Sequence, residues 1–210
     1  MADERAARGL RAALAALAGE QRIGWKIGLN APAVQALVGI SEPVAGVLVA
    51  SRRLGRGERH SLAGASNPVA EPEVAIEVGE DGSVASLAAA IEVADVNMGF
   101  DDLEAVVAGN VFHRAVLLGE QVHGEALRGI EARIAVNGAP QAAVNAHEVT
   151  GDPEAVIDVV RRNAEAAGAE VRPGDVIIAG TLAPPVRVEP GDAVGLDLGP
   201  LGLVELAFEG

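Results

Sequence analysis

Val69-Ala70-Glu71-Pro72-Glu73-Val74-Ala75-Ile76-Glu77-Val78 alternates with a period of two. Val74, Ile76 and Val78 fall on one face, and Glu71, Glu73, Ala75 and Glu77 on the other. Successive side chains of a β-strand project to opposite sides, so this segment reads as a strand. Gly79-Glu80-Asp81-Gly82-Ser83 follows as a turn. Residues 88–96, AAAIEVADV, read as a second strand that carries Glu92 inside an apolar run.

Outward from this pair, strand signals dominate. Short strands are expected at 25–29, 44–50, 111–118 and 129–136, and a dense set at 175–179, 186–189, 193–198 and 203–208. Helices are expected over 3–18, 31–38 with Asn30 as its cap and Pro32 in the first turn, from Asp101 or Asp102 to 108, and 153–167. The stretch SRRLGRGERHS at 51–61 reads as a loop. Arg172-Pro173-Gly174-Asp175 and Glu189-Pro190-Gly191-Asp192 suggest two turns of the same chemistry. No regular strand–helix–strand rhythm appears, which argues against a doubly wound or TIM-barrel domain. The expectation is a strand-rich α+β fold, with a helix over residues 1–22 and a single domain over 23–210.

Composition narrows the function classes. Half of the 210 residues are hydrophobic, enough for a substantial core. The chain has no cysteine, so disulfides, thiolate metal sites and cysteine nucleophiles are excluded. A formal charge of −14 makes nucleic acid a poor partner. Apolar runs end well short of the ~20 residues that span a bilayer. The first residues put Asp3 and Glu4 ahead of the apolar positions, unlike a secretory leader. A soluble cytoplasmic protein is expected.

Lys26 is the only lysine against fifteen arginines. It sits in GWKIGLN, beside the only tryptophan and between Gly24 and Gly28. Compositional bias explains why lysine is rare. It does not explain a lone ammonium in an apolar strand, which makes Lys26 a candidate site group. Glu71 and Glu73 share a strand face about 6–7 Å apart, close enough to converge on one hard cation. Glu92 is costly to bury unpaired, so it needs a cation or a basic partner. Three carboxylates with waters suit Mg²⁺ or Mn²⁺. The same alternation also describes a solvated sheet edge. His113 reads either as a strand histidine satisfied by a backbone partner or as an acid near the cation. Arg52 and Arg53 stand ready to steer an anionic substrate.

The ordered motifs resemble the 2-keto-4-pentenoate hydratase and 4-oxalocrotonate decarboxylase group of the fumarylacetoacetate-hydrolase-like superfamily. They are residues 24–30 (GWKIGLN), Glu42-Pro43, residues 46–48 (GVL), residues 70–73 (AEPE), residues 91–95 (IEVAD), Gly109-Asn110, residues 117–119 (LLG), residues 174–182 (GDVIIAGTL) and the closing GPLGLVELAF. The resemblance implies a mixed β-sheet or barrel core with peripheral helices, a homo-oligomer, and a divalent cation held by Glu71, Glu73 and Glu92. It implies Lys26 as the active-site lysine, and Gly180, Thr181 and Leu182 as a turn that meets a small anionic 2-oxo acid. Arg52 is added as a substrate contact. The activity implied is hydration of a 2-oxo-4-enoate. The alternatives are decarboxylation or another lyase or hydrolase reaction of a related 2-oxo acid, and an inactive relative. One departure stands out. Hydratases of the group usually carry an aspartate where this chain has Val44, and Glu42 is the nearest acid.

Overall fold

The alternating segment is a strand at the middle of a large sheet, not at its edge. The computed structural model describes residues 2–210. In chain order the elements are α1 (Ala2–Ala16), β1 (Arg22–Gly28), α2 (Pro32–Val38), β2 (Val44–Val49), β3 (Arg53–Leu54), β4 (Arg59–Ser61), β5 (Pro68–Val78) and β6 (Val84–Asp95). Then come α3 (Leu103–Ala108), β7 (His113–Leu118), β8 (Val122–His123), β9 (Glu131–Val136), β10 (Ala139–Asn145), α4 (Ala146–Thr150) and α5 (Pro153–Ala166). The chain ends with β11 (Val176–Thr181), β12 (Val186–Arg187), β13 (Ala193–Asp197) and β14 (Leu203–Glu209).

A nine-stranded sheet runs β2-β1-β11-β5-β6-β7-β3, with β12 added to β5 and β8 to β6. Its pairings are antiparallel except β1 with β11 and β3 with β7. A five-stranded sheet, β10-β9-β13-β14-β4, packs through β13 and β14 against β5, β6 and β7. The fold is therefore the strand-rich mixed class that the alternation predicts. The N-terminal helix stops at Ala16, short of residue 22, and its buried Ala6, Leu10 and Ala13 sit against α3, α5 and β2.

The large sheet curls, and its two faces divide the labour. Trp25, Val74, Ile76 and Ile177 belong to the main apolar core. On the other face Leu48, Ala75, Ala88, Ala90, Val116 and Ile178 form a second, smaller cluster inside the curl. Three alanines there keep the interior narrow. Since β5 alternates, Glu71 and Glu73 extend that inner face toward one end, and Glu77 toward the other, where it accepts from Ser86 Oγ.

Local chemistry accounts for most element ends. Asp102 caps α3 by accepting from the Ala105 N–H at 3.1 Å, and Asp152 caps α5 by accepting from Glu154 N–H at 3.1 Å. Asn30 does not cap α2. The cap position is Ala31, which offers no side-chain bond, and Pro32 starts the helix. The paired turns match as expected: Asp175 accepts from Arg172 N–H at 2.9 Å and Asp192 from Glu189 N–H at 2.8 Å. The basic stretch at 51–61 is not a bare loop, because it contributes the short strands β3 and β4. Among the described residues no helix is long and apolar enough to cross a membrane.

Candidate active site

Glu71 on β5 and Glu92 on β6 are directly opposed, with Glu73 two residues further along the same face. Like charges in opposed positions repel, so something must compensate them. Lys26 does so in part. It comes from β1, two strands away from β5, and the curl lets its side chain cross the interior. Its Nζ donates to Glu92 Oε1 at 2.5 Å and to the Val111 carbonyl at 3.1 Å. Lys26 and Glu92 are 2% and 0% exposed, so both charges are removed from water.

Three features guide Lys26 there. Opposite it on β2 stands Gly46, where a Cβ would lie 2.9 Å from Lys26 Cγ and from Asn110 Oδ1. Asn110 clamps β2 by accepting from Val47 N–H at 2.7 Å and donating to Val47 O at 2.8 Å. Asn110, Val111 and Phe112 all hold left-handed φ values of 59°, 51° and 66°. Such backbone costs on the order of 1–3 kcal/mol per residue, most for a β-branched valine. Its product is a carbonyl aimed at Lys26 and a phenyl ring turned into a cavity.

Glu73 is fixed from the other side. The β5–β11 register shifts between Ile178 and Thr181, and this irregularity turns the Gly180 N–H inward, where it donates to Glu73 Oε2 at 2.7 Å. Gly180 has φ +86°, and a Cβ there would lie 2.3 Å from Asn30 Nδ2. Only glycine meets both demands. Asn30 therefore packs against this turn instead of capping α2.

The charges explain the protonation behaviour. Burial and the neighbouring Glu92 raise Glu71 to a pKa of about 7. Burial, Glu92 and Glu71 push Glu73 well above the usual carboxylate range. Glu92 feels the same burial, but Lys26 and His113 outweigh it and lower its pKa. Burial alone would pull Lys26 down; Glu92, Glu71 and Glu73 together reverse that and keep it charged. One ammonium thus faces three carboxylates whose nearest oxygens lie within 4.8 Å of one another. Among the described residues no hydrogen-bond donor reaches the buried Glu92 Oε2. A hard cation at this point would neutralise the excess charge and use the orphaned oxygen, so the residues present fit a divalent ion.

A cavity of about 280 Å³ opens onto the cluster. Lys26, Glu71 and Glu73 form its polar floor, joined by Asn30, Gly180 and Thr181. Leu29, Val34, Val96, Phe100, Phe112 and Pro185 make apolar walls. Phe100 and Phe112 meet edge to face with centroids 5.7 Å apart.

The expected site residues divide as follows. Lys26, Glu71, Glu73 and Glu92 come together. Gly180 and Thr181 line the cavity, with Thr181 Oγ1 donating to Ala183 O at 2.6 Å. Leu182 does not line it; the side chain is in the core, and its N–H donates to Pro72 O at 2.8 Å. Arg52 does not line it either, since its guanidinium donates to the His113 carbonyl at 3.0 Å. Val44 opens β2 opposite Gly28 and is buried in the apolar core. Glu42 does not replace the missing acid, because Arg162 holds its carboxylate at 2.7 Å on the surface. His113 does not have the backbone partner that one of its two sequence readings supplies. Instead its Nδ1 meets Glu92 Oε1 at 2.8 Å. Its place three residues after Asn110, at the start of a strand beside β6, was the available signal.

Crowded carboxylates and a charged lysine at the floor of a cavity are the arrangement an enzyme's active site takes. The chain belongs to the fumarylacetoacetate hydrolase family: the family model described as "Fumarylacetoacetate (FAA) hydrolase C-terminal" matches residues 62–208. Among similar proteins, a 2-keto-4-pentenoate hydratase of Burkholderia vietnamiensis (strain G4 / LMG 22486) is 29% identical over 207 residues, covering 90% of this chain and 79% of the relative. A 2-hydroxyhexa-2,4-dienoate hydratase of Comamonas testosteroni is 26% identical over 209 residues, with coverage of 90% and 79%. The 4-oxalocrotonate decarboxylase from Pseudomonas putida G7, solved with magnesium and adipate, superimposes with a TM-score of 0.81 at 22% identity, covering 92% of this chain and 80% of that one. The fumarylpyruvate hydrolase from Pseudomonas aeruginosa, solved with Mn²⁺ and pyruvate, gives 0.66 at 16% identity, with 90% of each chain covered. At these identities the two structures establish the shared fold.

Proposed function

We propose that the protein hydrates a small 2-hydroxy-2,4-dienoate, the enol form of a 2-oxo-4-enoate, whose tail is uncharged. The observation that carries this reading is the joining of a carboxylate cluster and a charged lysine to an apolar cavity. Glu71, Glu73 and Glu92 would hold a divalent cation, Mg²⁺ or Mn²⁺. When bound, the cation supplies Lewis acidity toward the substrate's oxygens and stabilises enolate charge. The hydratase names of the relatives support the reaction type.

The remaining work falls to the chain. Lys26 spends two of its three N–H groups on Glu92 and Val111 O. The third is free to orient the substrate's carboxylate or a water, with the ammonium held charged by its acidic neighbours. Hydration places a hydroxyl on C4 and a proton on carbon. With Val44 in the core and Glu42 paired to Arg162, the water must be positioned by groups that reach the cavity. Asn30 and Thr181 are the neutral polar side chains there.

The walls choose between substrates. Among the described residues Lys26 is the one cation lining the cavity, and Glu92 already engages it. A second carboxylate on the tail would lie unpaired against Val34, Phe100 and Pro185, which costs several kcal/mol. A neutral tail therefore fits better than the dicarboxylic acid that a 4-oxalocrotonate-type decarboxylation requires.

The test is consumption of 2-hydroxypenta-2,4-dienoate with Mg²⁺ or Mn²⁺, followed by loss of diene absorbance and by product analysis. We expect a 4-hydroxy-2-oxo acid, and a folded Lys26→Ala variant slower by roughly 10²-fold or more. No turnover of any neutral-tail dienoate would overturn the reading. Preferential release of CO₂ from a dicarboxylic 2-oxo-enoate would replace hydration with decarboxylation.

A further inference from the structure

Glu92 carries an asymmetry that the cation site alone does not require. Lys26 Nζ and His113 Nδ1 both meet Oε1, at 2.5 and 2.8 Å, while the buried Oε2 meets no hydrogen-bond donor among the described residues. The shared oxygen already accepts from the Lys26 ammonium, so at 2.8 Å His113 must present Nδ1–H to it. The tautomer is thereby fixed. His113 itself is held by its backbone. It follows the left-handed turn at 110–112, opens β7 opposite Ala94 of β6, and has its carbonyl taken by Arg52 at 3.0 Å. Its side chain is 0% exposed, and Nε2 has no hydrogen-bond partner among the described residues.

We propose that His113 is a positioning residue: its Nδ1–H locks the Glu92 carboxylate by one oxygen, so that Oε2 alone is offered to the cation. Lys26 cannot do this by itself. Its ammonium sits on a flexible stem and must also serve the cavity, whereas the imidazole is a rigid donor outside the cavity lining. Partners of this kind set ligand orientation, and their loss typically costs about 10–100-fold in metal affinity. Arg52 acts one step further back, on the His113 backbone.

The proposal rests on the cation reading, so the experiment separates the two. Histidine ¹⁵N NMR on the metal-free protein should show His113 as the Nδ1–H tautomer. Mn²⁺ binding is then titrated by electron paramagnetic resonance in the wild type, His113→Asn and His113→Leu, with thermal melts as the folding control. The asparagine amide can replace the Nδ1–H donor, and leucine cannot. We expect His113→Leu to bind Mn²⁺ roughly 10–100-fold more weakly, and His113→Asn to recover most of that loss. An Nε2–H tautomer, a His113→Leu affinity equal to wild type, or a His113→Asn as weak as His113→Leu would each overturn the positioning role. Absence of Mn²⁺ binding by the wild type would overturn the cation reading, and the positioning role with it. The NMR result would still report whether the His113–Glu92 bond exists.

Discussion

Removing Lys26 takes away the one positive charge that the described residues place among three clustered carboxylates, of which Glu73 and Glu92 are buried and Glu71 half-buried. Breaking a buried pair leaves an uncompensated charge, so Lys26→Met should destabilise the metal-free protein by about 3–5 kcal/mol, measured by urea unfolding. A loss below about 1 kcal/mol would mean that Glu92 is neutral or solvated. Glu71 gives a pH signature. Its pKa rises from 4.5 to about 7 on folding, so the folded state holds the proton more tightly than the unfolded chain. Stability from this group is complete below about pH 4.5 and is lost as pH rises through about 7. His60 and His113, whose pKa values burial lowers from 6.5, work in the opposite direction below that pH. The difference from Glu71→Gln isolates the carboxylate. Between pH 5 and 8, with EDTA present, wild type should lose on the order of 2 kcal/mol relative to that variant. A constant difference would contradict the crowded-carboxylate description.

At the scale of elements, the site depends on three irregularities: the register shift in β11, the left-handed turn before β7, and glycine opposite Lys26 on β2. Gly180→Ala tests the first. Its positive φ and the contact with Asn30 should together cost more than about 1 kcal/mol, and adding Asn30→Ala should relieve only the steric part. Full recovery in the double variant would show that backbone conformation is unimportant there. These irregularities also mark where the sequence stops being legible. The strands with strong alternation or long apolar runs, β5 and β6, are plain in it, and so is α5 with its Asp152 cap. β10 leaves no signal because most of its residues are exposed and its alanines, proline and one valine show no apolar–polar alternation. β3 and β4 leave no trace in the sequence, because two or three residues carry no period. Asn30 looked like a cap because its chemistry suits one, yet Gly180 gives it a different neighbour.

At the scale of the whole molecule, the decisive contacts join distant parts of the chain. The alternation of Glu71 and Glu73 and the apolar setting of Glu92 were visible as local pattern. Whether that pattern made a wet edge or a buried cluster depended on strand order, which places β5 between β11 and β6. The Lys26–Glu92 pair depends on sheet curvature, because two strands intervene between β1 and β6. No local rule reports curvature, and none reports that β7 lies beside β6, which is what brings His113 to Glu92. Cation binding should couple to the stability of the whole chain. At a hundredfold excess over its dissociation constant, Mg²⁺ or Mn²⁺ should add about 2.7 kcal/mol.

The most direct test is anomalous scattering from a crystal grown with Mn²⁺ and oxalate, the latter mimicking the 2-oxo acid end of the substrate. We expect one strong peak per chain among Glu71, Glu73 and Glu92, touching Glu92 through Oε2, with oxalate extending into the cavity beside Lys26. Manganese bound elsewhere with the carboxylate cluster empty, or oxalate excluded from the cavity, would contradict the assignment of this site.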